Sequence, residues 1–336
     1  MCDARMKEII ESCYSDYNDF WKRAQVSVQA LPNVKSFWSK IFLVKVSIDG
    51  EKDYPKELFV KLPHLTDNLD KVEDKEERPE DSTEHTLKVF SEREAQFYAA
   101  LGDVTIPNFP VPKTYYVKPF TGPNTGGLAA ENLSKNVYSV EYIPGFSENQ
   151  FSEATVIQDL KPSLFKNRIS KLKKYFSKDY FLRVAEQPKR RRIPSVLVHG
   201  DLNVSNILWR KDSSDGDLAA IIDFQTVHSA SVAHDIINIL VLGVSRGERR
   251  KNEKSYLEHY YNTLSGFYKS GVAPFTIEQL HSTYREVFAS ATNFQFFGLA
   301  VYCKLYSSGI LGNSETKQEC IDELCDRALG IVEDIE

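Results

Sequence analysis

Two apolar runs, IFLVKVSI (41–48) and ELFVKL (57–62), flank the polar segment DGEKDYPK. The runs are rich in β-branched and aromatic residues and the spacer is turn-like, so the pattern predicts an antiparallel hairpin. The next stretch, 67–85, is dense in charge and interrupted by Pro79, which reads as a solvated loop. From Thr86 onward, Phe90, Glu94, Phe97, Tyr98 and Leu101 recur at three- and four-residue steps. That spacing predicts a helix with one carboxylate on an otherwise apolar face. TYYVK (114–118), GLAAENL (127–133) and VYSVEYI (137–143) read as further strands, giving a five-stranded sheet with one helix.

Beyond Ser147 the pattern changes period. DIINILVLGV (235–244) predicts a buried helix, and Leu257, Tyr260, Tyr261, Leu264, Phe267 and Tyr268 fall on one helical stripe. Thr276 followed by Gln279 fits a capping box ahead of Ile277, Leu280, Tyr284, Val287 and Phe288. Ile321, Leu324, Ala328 and Ile331 repeat the helical spacing near the C-terminus. The sequence contains no internal repeat.

Composition narrows the function classes. A chain of 336 residues, 42% hydrophobic and 26% charged, is long enough for a sizeable core and two lobes. Its formal net charge of −5 gives no overall attraction to nucleic acid, and none is expected as a partner. Cys2, Cys13, Cys303, Cys320 and Cys325 lack the paired spacing of a zinc site or a disulfide framework, and read as reduced thiols. No apolar run reaches the roughly 18 residues of a membrane span, and the N-terminal residues do not resemble a signal peptide. A cytoplasmic protein is the expectation.

Candidate chemistry concentrates in VLVHGDLNVSNILW (196–209) and AAIIDFQ (219–225). A hairpin between their apolar flanks would bring the two together. Phosphoryl transfer from a nucleotide needs a carboxylate to orient or deprotonate the acceptor hydroxyl, and oxygen ligands for Mg2+. Asp201, Asn206 and Asp223 supply that set. His199 suits a brace that fixes the loop by hydrogen bonding. Taken singly, each residue has a plainer reading, as a turn, a cap or a helix start. His228 and His234 match no zinc spacing and read as structural, while Asp235 would cap the helix it begins and brace the loop.

HGDLNVSN followed by IIDFQ resembles the paired signature of the aminoglycoside phosphotransferase and choline kinase superfamily. More narrowly, VLVHGDLNVSNILW, AIIDFQTVHSASVAHDI and LYSSGILGN are similar to the ecdysteroid-kinase-like, or CHK-kinase-like, family in its nematode branch. The resemblance implies an α+β, bilobal, protein-kinase-like fold. A small sheet lobe with one helix (1–132) would bind nucleotide, and a larger, mainly helical lobe (133–336) would carry catalysis and the acceptor. It implies ATP and Mg2+ as cofactors and a small-molecule hydroxyl as acceptor, steroid-like or xenobiotic.

By the same resemblance Lys61 would contact the phosphates and Glu94 would pair with it. Asp201 would be the catalytic base, supported by His199, and Asn206 and Asp223 would hold the metal. Backbone groups near Ala130, Glu131 and Asn132 would meet adenine. Two departures stand out. No glycine lies between Leu31 and Ile48, where a phosphate-covering turn is usual, leaving Ser36 and Ser39 as candidate donors. The interval from Ser134 to His199 is short and carries the basic runs KNRISKLKKYF and PKRRR, which read as a solvated face. The alternative reading is a nucleotide- or ligand-binding protein without turnover. A metal-dependent hydrolase ranks behind both, and HGD in place of HRD argues against a protein kinase.

Overall fold

Alternation along one strand decides what lies on each side of the sheet. The computed structural model describes residues 4–31, 38–64, 83–102, 104, 106, 109–135, 137–138, 157–211, 217–309 and 317–335. The expected hairpin forms: β2 (Ser39–Ile48) pairs antiparallel with β3 (Glu57–Pro63), with Ile41 opposite Lys61 and Val44 opposite Leu58. On β3, Leu58, Val60 and Leu62 are buried, while Phe59 and Lys61 take the opposite face, as the two-residue period of a strand requires.

The chain divides into two compact units, Met1–Ser139 with Ile207–Thr226, and Val140–Asn206 with Val227–Glu336. In the first unit, β1 (Ala24–Ala30), β4 (Thr114–Lys118) and β5 (Gly127–Glu131) complete an antiparallel sheet of order β1-β2-β3-β5-β4. Helix α1 (Ala4–Cys13) covers one face, where Met6, Ile9 and Ile10 pack with Leu58, Val60, Leu62 and Ala129. Helix α3 (Thr83–Leu101) lies over the other face; a single turn, α2 (Phe20–Arg23), leads into β1.

Three expectations are corrected here. The sheet has five strands, but the fifth is β1, an edge strand whose residues are mostly exposed and which therefore shows no apolar run. The segment expected at 137–143 contributes β6 (Val137–Tyr138) to a separate three-stranded sheet, order β6-β8-β9, with β8 (Ile207–Arg210) and β9 (Leu218–Ile221); residues 139–143 lie outside the described residues. The sheet is flanked by α1 as well as α3. Of the expected charged loop, residues 65–82 lie outside the described residues, and Thr83–His85 already belong to α3.

The second unit is mainly helical, and the fold is α+β. A short pair, β7 (Val196–Val198) with β10 (His228–Ala230), leads into helix His234–Gly243, whose Ile237, Leu240, Val241 and Leu242 are buried as expected. The capping box forms: Thr276 accepts from the Gln279 backbone and Gln279 accepts from the Thr276 backbone, opening helix Ile277–Ala291. Ile321, Leu324, Ala328 and Ile331 are buried in helix Lys317–Ile335. The stripe on helix Arg246–Phe267 is corrected: Leu257 is buried, but Phe267 is 67% exposed and Tyr268 lies beyond the last turn. Periodicity marks a face without showing whether another element covers it. No helix among the described residues is long and apolar enough to cross a membrane.

Candidate active site

Lys61 lies on the face of β3 opposite the α1 core. Its Nζ donates to both carboxylate oxygens of Glu94, at 3.1 and 3.0 Å, and to Oδ1 of Asp223 at 2.6 Å. Glu94 is the carboxylate on the apolar face of α3 and is 7% exposed. Asp223 follows β9 with φ +68°, a left-handed conformation that Asp tolerates better than most side chains. The next residue anchors that turn. Phe224 stacks on Phe97 of α3 with ring centroids 3.9 Å apart, and meets the edges of Tyr98 and Phe109.

The electrostatics follow from burial. Desolvation alone pulls the Lys61 ammonium toward losing its proton, but the charges of Asp223 and Glu94 outweigh it and hold the group above the ordinary lysine range. Burial pushes Glu94 up, opposed by Lys61 and reinforced by the like charge of Asp223. One ammonium faces two carboxylates, so the cluster keeps a formal negative charge and suits a further cation. Asp223 already takes a cationic ligand, and its carboxylate has the hard oxygens that Mg2+ prefers.

In the second unit the HGD loop is held from below. Asp235 accepts from the backbone N–H of His199 at 2.7 Å and of Gly200 at 3.0 Å, while Asn238 Nδ2 donates to the Gly200 carbonyl at 3.2 Å. The bracing expected of Asp235 is present; the capping is not, because Ala233 is the cap residue and makes no side-chain cap bond. His199 Nδ1 accepts from the Asp201 backbone at 3.3 Å. The Asp201 carboxylate then sits between two amides, Asn203 Nδ2 at 3.2 Å and Asn206 Nδ2 at 3.3 Å, both of which also donate to its carbonyl. Asn203 in turn accepts from Ser205 N and Oγ.

The structure thus brings together Lys61, Glu94 and Asp223 in one unit, and His199, Asp201 and Asn206 in the other. Ala130 is buried in β5, paired with Phe59 and Thr114. Glu131 accepts from Lys113 N at 2.8 Å, and Asn132 donates to Glu57 at 2.8 Å, so both side chains are engaged locally. Ser39 opens β2 and is buried; Ser36 lies outside the described residues. The His228 and His234 rings meet edge to face at 5.3 Å, and the described residues hold no group of three or more His, Cys, Asp or Glu side chains fit for a metal.

Sequence reasoning missed Asn203, fully buried at the hub of the loop, and Asn238 beneath Gly200. Asn203 carried a faint signal as a polar residue two places after Asp201 between apolar neighbours. Asn238 carried none, since a single amide in an apolar helix has no distinguishing spacing.

A family model described as "Uncharacterized oxidoreductase dhs-27" matches residues 22–179 and 165–336. An uncharacterized kinase-like protein of Caenorhabditis elegans is 28% identical over 374 residues, spanning 98% of both chains. The uncharacterized oxidoreductase dhs-27 of the same organism is 25% identical over 273 residues, covering 66% of this chain and 33% of its own length. Among solved structures, the ethanolamine kinase of Plasmodium vivax aligns with a TM-score of 0.47 at 13% identity, covering 96% of this chain and 86% of that one. Because the two matched segments together span nearly all of the sequence from residue 22 to the last, the chain belongs to the DUF1679 family.

Proposed function

We propose that this chain is an ATP- and Mg2+-dependent phosphotransferase of the ecdysteroid-kinase-like type that acts on a hydroxyl of a small molecule in the cytoplasm. The observation that carries the reading is the Lys61 ammonium shared between Glu94 and Asp223. A lysine held by a buried glutamate is oriented to meet phosphate oxygens, and a carboxylate next to it is placed to hold a metal against them. The kinase-like name of the full-length relative agrees with this.

In this reading Lys61 contacts the phosphates, Glu94 positions Lys61, and Ala130, Glu131 and Asn132 offer backbone groups to adenine. Asp201 orients and deprotonates the acceptor hydroxyl. His199 and Asp235 keep its loop in place. Asn206 and Asp223 hold Mg2+, which neutralises charge on the phosphates. Nucleotide binding is assigned to residues 1–132 with Asp223, and acceptor binding to the rest of 133–336. Positioning and charge neutralisation supply most of the rate. The oxidoreductase name of the other relative finds no counterpart in a dinucleotide fingerprint: no Gly-x-Gly occurs anywhere in the sequence.

The test is calorimetric titration of the purified protein with ATP, with and without Mg2+, followed by an ATP-consumption screen against small alcohols including sterols. Asp201→Asn is expected to bind ATP and lose transfer, and Asp223→Asn to lose the Mg2+ dependence of binding. Absence of nucleotide binding by the folded protein overturns the reading. Nucleotide binding with no turnover on any acceptor favours the binding-protein alternative, which the missing glycine between Leu31 and Ile48 supports.

A further inference from the structure

In a chain of formal net charge −5, residues 166–192 carry eleven basic side chains and two acidic ones, Asp179 and Glu186. The proposed transfer reaction uses none of them. Arg190 and Arg191 are tied to Glu286 at 2.6 and 2.8 Å. Lys173, Lys189 and Arg192 are exposed and form no ion pair among the described residues. Arg183 is exposed over the Tyr180 ring.

Within this basic stretch, helix Lys178–Ala185 buries Tyr180 toward helix Ile277–Ala291 and turns Phe181, Leu182 and Ala185 outward. Phe181 is 39% exposed and Leu182 57%. The basic stretch thus carries an adjacent exposed phenylalanine and leucine, and exposed carbon gains nothing from water. Single-stranded RNA meets the same cations and can stack a base on Phe181, but it gives an aliphatic side chain such as Leu182 no comparable environment. An anionic bilayer surface rewards both features: cations meet headgroup phosphates and carboxylates, and the outward apolar side chains enter the headgroup and acyl boundary.

We propose that the face formed by helix Lys178–Ala185, with Lys173, Lys189 and Arg192 beside it in sequence, docks the protein on an anionic lipid bilayer. This docking is independent of the proposed phosphotransfer and holds whether or not the chain turns over ATP.

The experiment is co-sedimentation of the full chain with phosphatidylcholine vesicles with and without phosphatidylserine, and competition by single-stranded RNA. Binding is expected only to the phosphatidylserine vesicles and to fall with added salt. The Lys173→Glu and Lys189→Glu double variant should bind about tenfold or more weakly. The Phe181→Ser and Leu182→Ser double variant, which changes no charge, should also lose binding; its unaltered circular dichroism would show that the fold is intact. Failure of the folded protein to bind phosphatidylserine vesicles overturns the proposal. So does wild-type binding by the serine variant, or tighter binding to RNA than to vesicles.

Discussion

Lys61 Nζ lies 2.6 Å from Asp223 Oδ1, although 162 positions separate the two residues in the chain. The same ammonium holds Glu94, so one cation serves two carboxylates; the Lys61 side chain is 13% exposed and that of Glu94 9%. Ion pairs of this kind are costly to break and inexpensive to replace together, because a lone buried charge keeps its full desolvation penalty. Lys61→Met should therefore destabilise the protein by about 3–5 kcal/mol in urea unfolding, and Lys61→Met combined with Glu94→Met should recover most of that loss. Neither variant should bind ATP.

The backbone at Asp223 provides a second measurement. At φ +68°, alanine pays a conformational cost that asparagine largely avoids. Asp223→Ala should melt below Asp223→Asn by an amount corresponding to about 1 kcal/mol, while both lose the Mg2+ dependence of nucleotide binding. Equal melting temperatures would show that the turn relaxes.

Gly126 is constrained in two ways. Its φ is +68°, and a Cβ there would lie 2.5 Å from the Pro119 carbonyl oxygen and 2.6 Å from Phe120 N, both backbone atoms. Its own carbonyl accepts from Arg5 Nε at 2.5 Å, which ties α1 to the turn before β5. Gly126→Ala should cost more than about 2 kcal/mol. Gly271→Ala, at the same φ of +68° with nothing within 4 Å, isolates the conformational part and should cost about 1 kcal/mol. Chemical denaturation of the two variants gives the difference directly.

His234 makes stability depend on pH. Burial pushes its imidazole down from 6.5 to about 4; the His228 ring adds to this and Asp235 opposes it. Between those values the unfolded chain binds a proton that the folded chain refuses, so stability is full above pH 6.5 and falls as pH drops toward 4. The total effect is about 3 kcal/mol. Melting temperatures from pH 7 to pH 4.5 should fall more steeply for the wild type than for His234→Gln.

Much of the architecture was legible in local spacing. The β2–β3 hairpin, the face of α3 that carries Glu94, the Thr276 capping box and the buried stripe of Lys317–Ile335 all arise from neighbours within a few residues, where side-chain period and backbone hydrogen bonding are directly coupled. The candidate site residues stood out for another reason: Asp201, Asn206 and Asp223 are polar groups set among strand-forming runs, a placement that costs free energy unless the group is hydrogen-bonded or paired, while Lys61 was singled out through the family resemblance alone. Asn203 escaped notice because its partners, Asp201 and Ser205, lie two residues away in an irregular loop that has no residue spacing of its own, and Asn238 because its partner is the Gly200 carbonyl, a backbone group that leaves no mark on residue type.

By itself, the sequence determined most of the strands and helices with strong local patterning, the β2–β3 hairpin among them, and the polar residues that interrupt their apolar faces; it carried no sign of β1 or α1. Beyond that hairpin it did not determine pairing. That the exposed β1 closes the sheet beside β2, that Val137–Tyr138 joins β8, that α1 covers the second face, and that Asp235 lies under His199 and Gly200 were decided only in the tertiary structure. Each of these is a contact between residues far apart in the chain. Its stability depends on complementary surfaces meeting after collapse, and neither partner's sequence carries that information alone.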